Sequence, residues 1–339
     1  MILFYTYLLL VTLLSLLFKK KGIFLNFSGD IHQSFSNKKN VPLAGGLFIL
    51  IPLVFFLDDL FINCFIVSIY LIGYFSDRKI LISPKIRFLA QCILILLFVE
   101  IFDIKVNSSR IELFDSILNY NIFAIFFSSF CLLILINGSN FIDGLNGILI
   151  SFTIIILLML NKLNLIDNSI ISVESINLII FILSLLLLLN IFNILMLGDS
   201  GAYLLGFFVG YMIISSHTSN PNISPYFFIS LIWYPCFENL FSILRKLNRE
   251  FSPLKPDSKH LHQLVFFFLT KKFNLKLILS NNLSSLIICF FNFLIIYVST
   301  LNPSSTIFQI KLIATSVIFY NVSYMLLFKF YKSKLISKK

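Results

Sequence analysis

Residues 120–160 read YNIFAIFFSSFCLLILINGSNFIDGLNGILISFTIIILLML, and this stretch decides the fold. Asp143 is its only charged residue. Two continuous apolar runs, 120–137 and 147–160, flank a polar junction rich in Asn and Gly. About 18 or more apolar residues in a row is the length that crosses a bilayer as a helix. A membrane barrel would instead show short segments of alternating polarity.

Working outward, runs of the same kind recur at 2–18, 41–57, 60–76, 88–104, 176–197, 201–215, 225–243, 277–300 and 306–328. Eleven spans are therefore expected, each a helix, because lipid offers the backbone no hydrogen-bond partner. Composition agrees: 58% of residues are hydrophobic and only 12% charged, about half the charge of a soluble domain. The expected fold is an all-α, polytopic membrane bundle in one domain over residues 1–339. The first run lacks a preceding basic residue and a following small-residue cleavage site, so it is expected to be a retained helix. Five cysteines lie inside apolar runs without metal-like spacing and read as small buried hydrophobes.

Lys and Arg set the expected orientation. The alternate loops 19–40, 77–87 and 244–276, with the tail 329–339, hold 22 of the 26 basic residues. The amino terminus is thus expected outside and the carboxyl terminus inside. The net charge of +11 reads as membrane sidedness, and no nucleic-acid partner is expected.

Polar clusters fall unevenly against this topology. Five occur: the stretch up to Gly46, Asp77–Gln91, Asn137–Gly147, Gly198–Gly201 and Arg245–Gln263. All sit at or beside expected cytoplasmic helix ends. Polar groups at membrane depth are costly and usually mark a site, so one site on the inner face is the simplest cause.

Each cluster has a plain structural reading beside a chemical one. Asn137 and Asn140 are three apart, which puts both amides on one helix face. Their oxygens and that of Asp143 suit a hard cation such as Mg²⁺, although a polar cap and turn needs the same residues. Asp199 and Ser200 precede an apolar run whose amino-terminal amides suit phosphate oxygens. The same Gly-Asp-Ser-Gly letters surround the nucleophile of trypsin-like proteases, but those are secreted β-barrels. Asp77, followed by Arg78 and Lys79, reads equally as an interfacial charge cluster. His260 and His262 lack a Cys or third His for zinc and better fit donation to an anion, while a plain basic loop is the competing reading. Gly45-Gly46 suits close helix packing. His32 and Glu238 carry no decisive signal, and His217 falls on the outer side.

In this order, the five clusters resemble the polyprenyl-phosphate N-acetylhexosamine-1-phosphate transferases. This family includes the enzymes that start O-antigen and teichoic-acid linkage and the phospho-MurNAc-pentapeptide translocase of peptidoglycan synthesis. The likeness covers roughly residues 30–265, with 277–328 as additional helices. Val41-Pro-Leu-Ala-Gly-Gly46 is similar to the first loop, with Lys38 at the place of a substrate-binding lysine. Gly73-Tyr-Phe-Ser-Asp77 through Pro84, Arg87 and Gln91 is similar to the segment bearing an acidic pair. Asn137–Gly147 matches the Asn-rich segment, Gly198-Asp199 the metal-binding aspartate, and Pro256–Gln263 the final histidine loop. Two departures stand out: Ser76-Asp77 replaces two adjacent acids, and His262-Gln263 replaces adjacent histidines. Both, with the eleventh span, lean toward the O-antigen-type branch.

The resemblance implies that a polyprenyl (undecaprenyl) phosphate attacks the β-phosphorus of a UDP-N-acetylhexosamine. UMP leaves, and the lipid-diphosphate sugar initiates a cell-surface glycan. It implies Asp77 and Asp199 as catalytic residues and Asn140 with Asp199 as ligands of Mg²⁺ or Mn²⁺. Lys38, Asn137, Asp143, Asn146, His260 and His262 are implied to bind substrate. The expected setting is the bacterial inner membrane, site toward the cytoplasm, with a homodimer as the one candidate assembly. The rival readings are the peptidoglycan phospho-MurNAc-pentapeptide transferase and a transporter or flippase of a lipid-linked or anionic substrate, whose site would lie near the bilayer midplane. The outer half of every span is nearly free of charge, which favours the enzyme.

Overall fold

The computed structural model describes residues 2–25, 41–57, 59–81, 83–247 and 259–336, and its regular structure is helical. The helices are α1 (Ile2–Lys21), α2 (Gly45–Phe56), α3 (Leu60–Asp77), α4 (Pro84–Phe102) and α5 (Glu112–Leu118). Next come α6 (Asn121–Ile142), α7 (Ile148–Lys162), α8 (Val173–Ile191) and α9 (Gly198–Ser219). The remainder are α10 (Pro225–Leu247), α11 (Leu261–Lys272), α12 (Leu277–Ser299) and α13 (Thr306–Ile336). Each expected apolar run overlaps one of these helices, whereas the short α5 and α11 fall outside the expected spans.

Among the described residues, six helices are long and apolar enough to cross a membrane: α3, α6, α8, α10, α12 and most of α13. Their outward faces are apolar, as Leu286, Phe290, Met325 and Leu326 illustrate. Water would not stabilise such a surface, and the chain is an all-α, multi-pass membrane protein. Local chemistry explains several boundaries. Asp59 starts α3 by accepting hydrogen bonds from the Phe61 and Ile62 amides at 2.7 and 3.1 Å. Pro84 opens α4, where the first turn needs no amide donor. Ser172 accepts from the Ser175 amide at 3.1 Å to start α8.

Helix α9 is the axis of the bundle. Every residue from Ser200 to His217 is buried, and α3, α6 and α2 pack most extensively around it. Small residues permit the approach: a Cβ added at Gly73 of α3 would fall 2.4 Å from the Ser200 Cα. Beside it, the connection from α8 to α9 pairs with the lead-in to α2. Met196 N donates to Pro42 O, and Gly45 N to Met196 O, each at 2.9 Å.

The two ends of α9 lie about 33 Å apart at 1.5 Å per residue, and different polar groups meet at each. At its carboxyl end, the Asp167 carboxylate accepts from Ser215, Ser219 and Ser169 hydroxyls at 2.9, 2.6 and 2.6 Å. Burial pushes the Asp167 carboxyl up, but these hydroxyls and the Ser169 amide outweigh it and hold it below the ordinary carboxylate range. Arg110 ties this end together through Ser304, Pro221 and Asn222 carbonyls at 2.8, 3.1 and 2.9 Å. His217, placed on this side by the sequence, faces the Ser108 carbonyl at 3.2 Å. The Asn-rich junction and the histidine pair converge at the other end.

Candidate active site

The carboxyl end of α3 meets the amino end of α9. Gly198 has φ +75°, and a Cβ there would lie 2.6 Å from Asp77 Oδ2; only glycine suits both the conformation and the space. Asp77 Oδ1 accepts from Asp199 N at 2.8 Å, and Oδ2 from Ser200 N at 3.0 Å. The first amides of a helix lack internal partners, and a carboxylate there is further favoured by the helix dipole. Asp77 thus caps α9 from another helix.

The side chain of Asp199 belongs to a second set of contacts. Its Oδ2 accepts from the Ser76 hydroxyl and, at 2.9 Å, from Arg87 Nη1, which also contacts Ser76 Oγ. Both contacts fall on Oδ2, leaving Oδ1 outside them. The Arg87 and Asp199 side chains are 22% and 29% exposed, so this ion pair meets solvent. Ser76 stands next to Asp77, where the resemblance leads to the expectation of a second acid. A carboxylate there would repel Asp199; the hydroxyl donates to it.

From Arg87 the polar groups continue to α6 through Gln91, which is buried. Gln91, one helical turn beyond Arg87, accepts from Asn137 Nδ2 at 3.1 Å. Asn137, Asn140 and Asp143 are all half-buried, and their spacing of three keeps them on one side of α6. Asp143 closes the helix, its amide donating to Ser139 O at 3.2 Å. Asn146 departs from this row: it is 2% exposed. Its amide N donates to Asn281 Oδ1 at 2.8 Å and its Nδ2 to Asn193 Oδ1 at 3.0 Å. It pins the turn between α6 and α7 to α12 and to the exit from α8, an internal role that its place in the Asn-rich sequence does not reveal.

The histidines stand behind that turn. His260 is 4% and His262 0% exposed; their rings stack at 5.6 Å with planes 7° apart. A Cβ added at Gly144 would lie 2.7 Å from His262 Nε2, and the His260 ring lies 5.3 Å from that of Phe141. His260 Nδ1 is 2.9 Å from Glu238 Oε1. Glu238 is fully buried, a placement for which its sequence context carries no decisive signal. The available signal was its charge, alone in the apolar run of α10, at membrane depth. Lys38, and Pro256 to Ser258 of the histidine loop, lie outside the described residues.

The donor set decides whether Mg²⁺ fits. No group of three or more His, Cys, Asp and Glu gathers among the described residues, which argues against an all-protein metal cage. Mg²⁺ usually keeps several waters and binds through one or two carboxylates plus substrate phosphates. Asp199 is a partly exposed carboxylate with one oxygen outside its ion pair, and Asn140 is a half-buried amide. Hard oxygen donors of this kind fit such a cation.

Comparison with known proteins bears on the same segment. The sequence profile of glycosyl transferase family 4 matches residues 60–217, from α3 through most of α9. An undecaprenyl-phosphate alpha-N-acetylglucosaminyl 1-phosphate transferase of Thermotoga maritima is 25% identical over 229 residues, 68% of this chain and 69% of that protein. The protein of the same name from Salmonella typhi is 26% identical over 243 residues, 66% of this chain and 65% of its own length. The aligned stretch thus spans about two thirds of these relatives.

Proposed function

We propose that this chain, of which residues 60–217 match the profile of glycosyl transferase family 4, transfers N-acetylhexosamine 1-phosphate from a UDP-sugar to a polyprenyl phosphate and releases UMP. The names of its relatives point to the polyprenyl-phosphate acceptor and to sugar-1-phosphate transfer. The observation that carries the reading is convergence. Asp77, Asp199, Arg87, the face bearing Asn137, Asn140 and Asp143, and the two histidines gather at one end of the bundle. One substrate has a long hydrocarbon tail and the other is a soluble nucleotide, so a site at a helix end lets both reach it.

Two anions must meet in this reaction, and the principal demand is charge neutralisation and positioning. Arg87 and the amino-terminal amides of α9 supply fixed positive potential. Asp77, held by those amides, orients the attacking lipid phosphate or takes its proton. Asp199 and Asn140 would hold Mg²⁺ (or Mn²⁺), which supplies electrostatic stabilisation of the diphosphate when bound. Asn137 and Asp143 present polar edges to the nucleotide, with Asn146 holding the turn beneath them. Lys38, His260 and His262 bind phosphate or sugar oxygens. UMP release from a UDP-N-acetylhexosamine by purified protein should require a polyprenyl phosphate, stop in EDTA and return with Mg²⁺ or Mn²⁺. Release of UDP instead would mean ordinary glycosyl transfer and end this reading.

We further propose eleven crossings of the bacterial inner membrane, amino terminus outside, with the site facing the cytoplasm. The basic loops support this orientation. In a chain with its native cysteines replaced, a cysteine at Lys79 should react with an impermeant thiol reagent only after lysis, and one at Asn220 in intact cells. The opposite pattern would place the site outside, away from a cytoplasmic nucleotide. Ser76 and Gln263 favour the branch that starts O-antigen or teichoic-acid glycans.

A further inference from the structure

We infer that Glu238 on α10 and Tyr320 on α13 are positioning residues that fix the ring of His260 for binding of the sugar-nucleotide donor; this rests on the proposed transfer reaction. Glu238 is the only charged residue between Pro225 and Leu244 and is fully buried. Both of its oxygens are engaged. Oε1 pairs with His260 Nδ1 at 2.9 Å. Oε2 accepts from the Tyr320 hydroxyl at 2.8 Å and from the Leu261 amide at 3.4 Å.

This geometry sets the chemistry of the ring. A carboxylate accepts only, so Nδ1 of His260 carries the proton, and Nε2 becomes the nitrogen left for a ligand. The rest of the pocket holds the ring plane. His262 stacks on one side, its own Nδ1 3.4 Å from the Tyr234 hydroxyl, and Phe141 lies 5.3 Å away. Tyr320 is clamped by Phe237 and Phe241 at 4.9 and 5.3 Å between ring centres. Its hydroxyl therefore reaches Glu238 from a fixed position. Glu238 and Tyr320 lie 22 and 60 residues on either side of His260, and both fall outside the segment matched by the family profile.

A buried ion pair that only docks α11 is the competing explanation. Leu261, Leu264 and Phe266 already bury an apolar face of that short helix. Apolar replacements of buried ion pairs are often as stable as the pairs themselves. Docking alone therefore does not account for a carboxylate at this depth, whereas aiming a histidine does.

The two explanations separate in a double-mutant cycle on purified full-length protein with UDP-N-acetylglucosamine and undecaprenyl phosphate. KM and kcat come from UMP release, and donor affinity from calorimetry. Glu238→Gln should raise KM and Kd for the donor at least tenfold with kcat changed less than threefold. Glu238→Asp should recover part of the loss, and Tyr320→Phe should raise KM several-fold. In a His260→Ala background, Glu238→Gln should change donor Kd less than twofold, since the residue through which it acts is gone. Effects of Glu238→Gln and His260→Ala that multiply independently would overturn the inference. So would a Glu238→Gln or His260→Ala protein binding donor within twofold of the parent. Size-exclusion profiles and melting curves identify any variant that fails to fold, and Tyr320→Phe and Glu238→Asp then carry the test. A parent protein that releases no UMP under any donor would refute the transfer reaction itself, a separate failure.

Discussion

Two ion pairs at the same end of the molecule use similar chemistry in opposite settings. Arg87 and Asp199 join α4 to α9, each about a quarter exposed, beside the half-buried face of α6. His260 and Glu238 join α11 to α10, at 5% and 0% side-chain exposure, inside a cage of aromatic rings. An open pair can exchange partners with an arriving phosphate or cation at little structural cost. A sealed pair keeps its partners, and Glu238 serves by holding the His260 ring in place while Nε2 stays available. Burial, more than residue type, separates groups that react from groups that aim.

The largest expected effect is at the open pair. Asp199→Asn keeps the shape but removes the anion proposed to hold Mg²⁺, and UMP release should fall by orders of magnitude, with partial recovery in excess Mg²⁺. Asp77→Asn should cost about 10²–10⁴-fold, the usual contribution of a general base, with no recovery from added Mg²⁺. Ser76→Ala should cost much less than either, because its hydroxyl donates to Asp199 and accepts from Arg87 but carries no charge. Near-normal, metal-dependent activity in Asp199→Asn would remove it as the ligand, and a Ser76→Ala defect exceeding that of Asp77→Asn would reverse the roles in this pair.

Stability should order the two pairs the other way. Arg87→Gln breaks a solvent-screened pair, and thermal or denaturant unfolding should shift by no more than about 1 kcal/mol, while UMP release drops. Glu238→Ala leaves a buried histidine and a buried tyrosine hydroxyl without their acceptor, and should destabilise by about 3–5 kcal/mol. Equal destabilisation by the two changes would erase the distinction between the sites.

The smallest effect belongs to the far end of α9, where the Asp167 carboxylate is held by serine hydroxyls. Asp167→Asn should leave UMP release unchanged and lower stability by roughly 1 kcal/mol for the weakened hydrogen bonds. Because the folded protein holds this carboxyl below its ordinary value of 3.8, its contribution is complete above that pH. It fades as the pH falls through the lower, folded value. A parent chain and an Asp167→Asn variant that lose stability identically on acidification would contradict this assignment.

How much of this was legible in the sequence follows from the range of each interaction. The apolar runs and the one-sided basic loops are local consequences of hydrocarbon and membrane polarity, so the helices, and the expected sides of their polar ends, could be read directly. The row of Asn137, Asn140 and Asp143 was readable from helical spacing alone. The short helices α5 and α11 gave no such signal, being too brief for a spanning run. Asp77 caps a helix that begins 121 residues later, and Tyr320 reaches Glu238 across 82 residues. No periodicity links positions so far apart. The same limit applies to Asn146, whose burial depends on Asn193 and Asn281 arriving from other helices. The sequence by itself determined a helical membrane protein with polar groups concentrated at one set of helix ends. Only the tertiary structure decided which of those groups remain open to a ligand and which are sealed, because burial is a property of how distant segments pack.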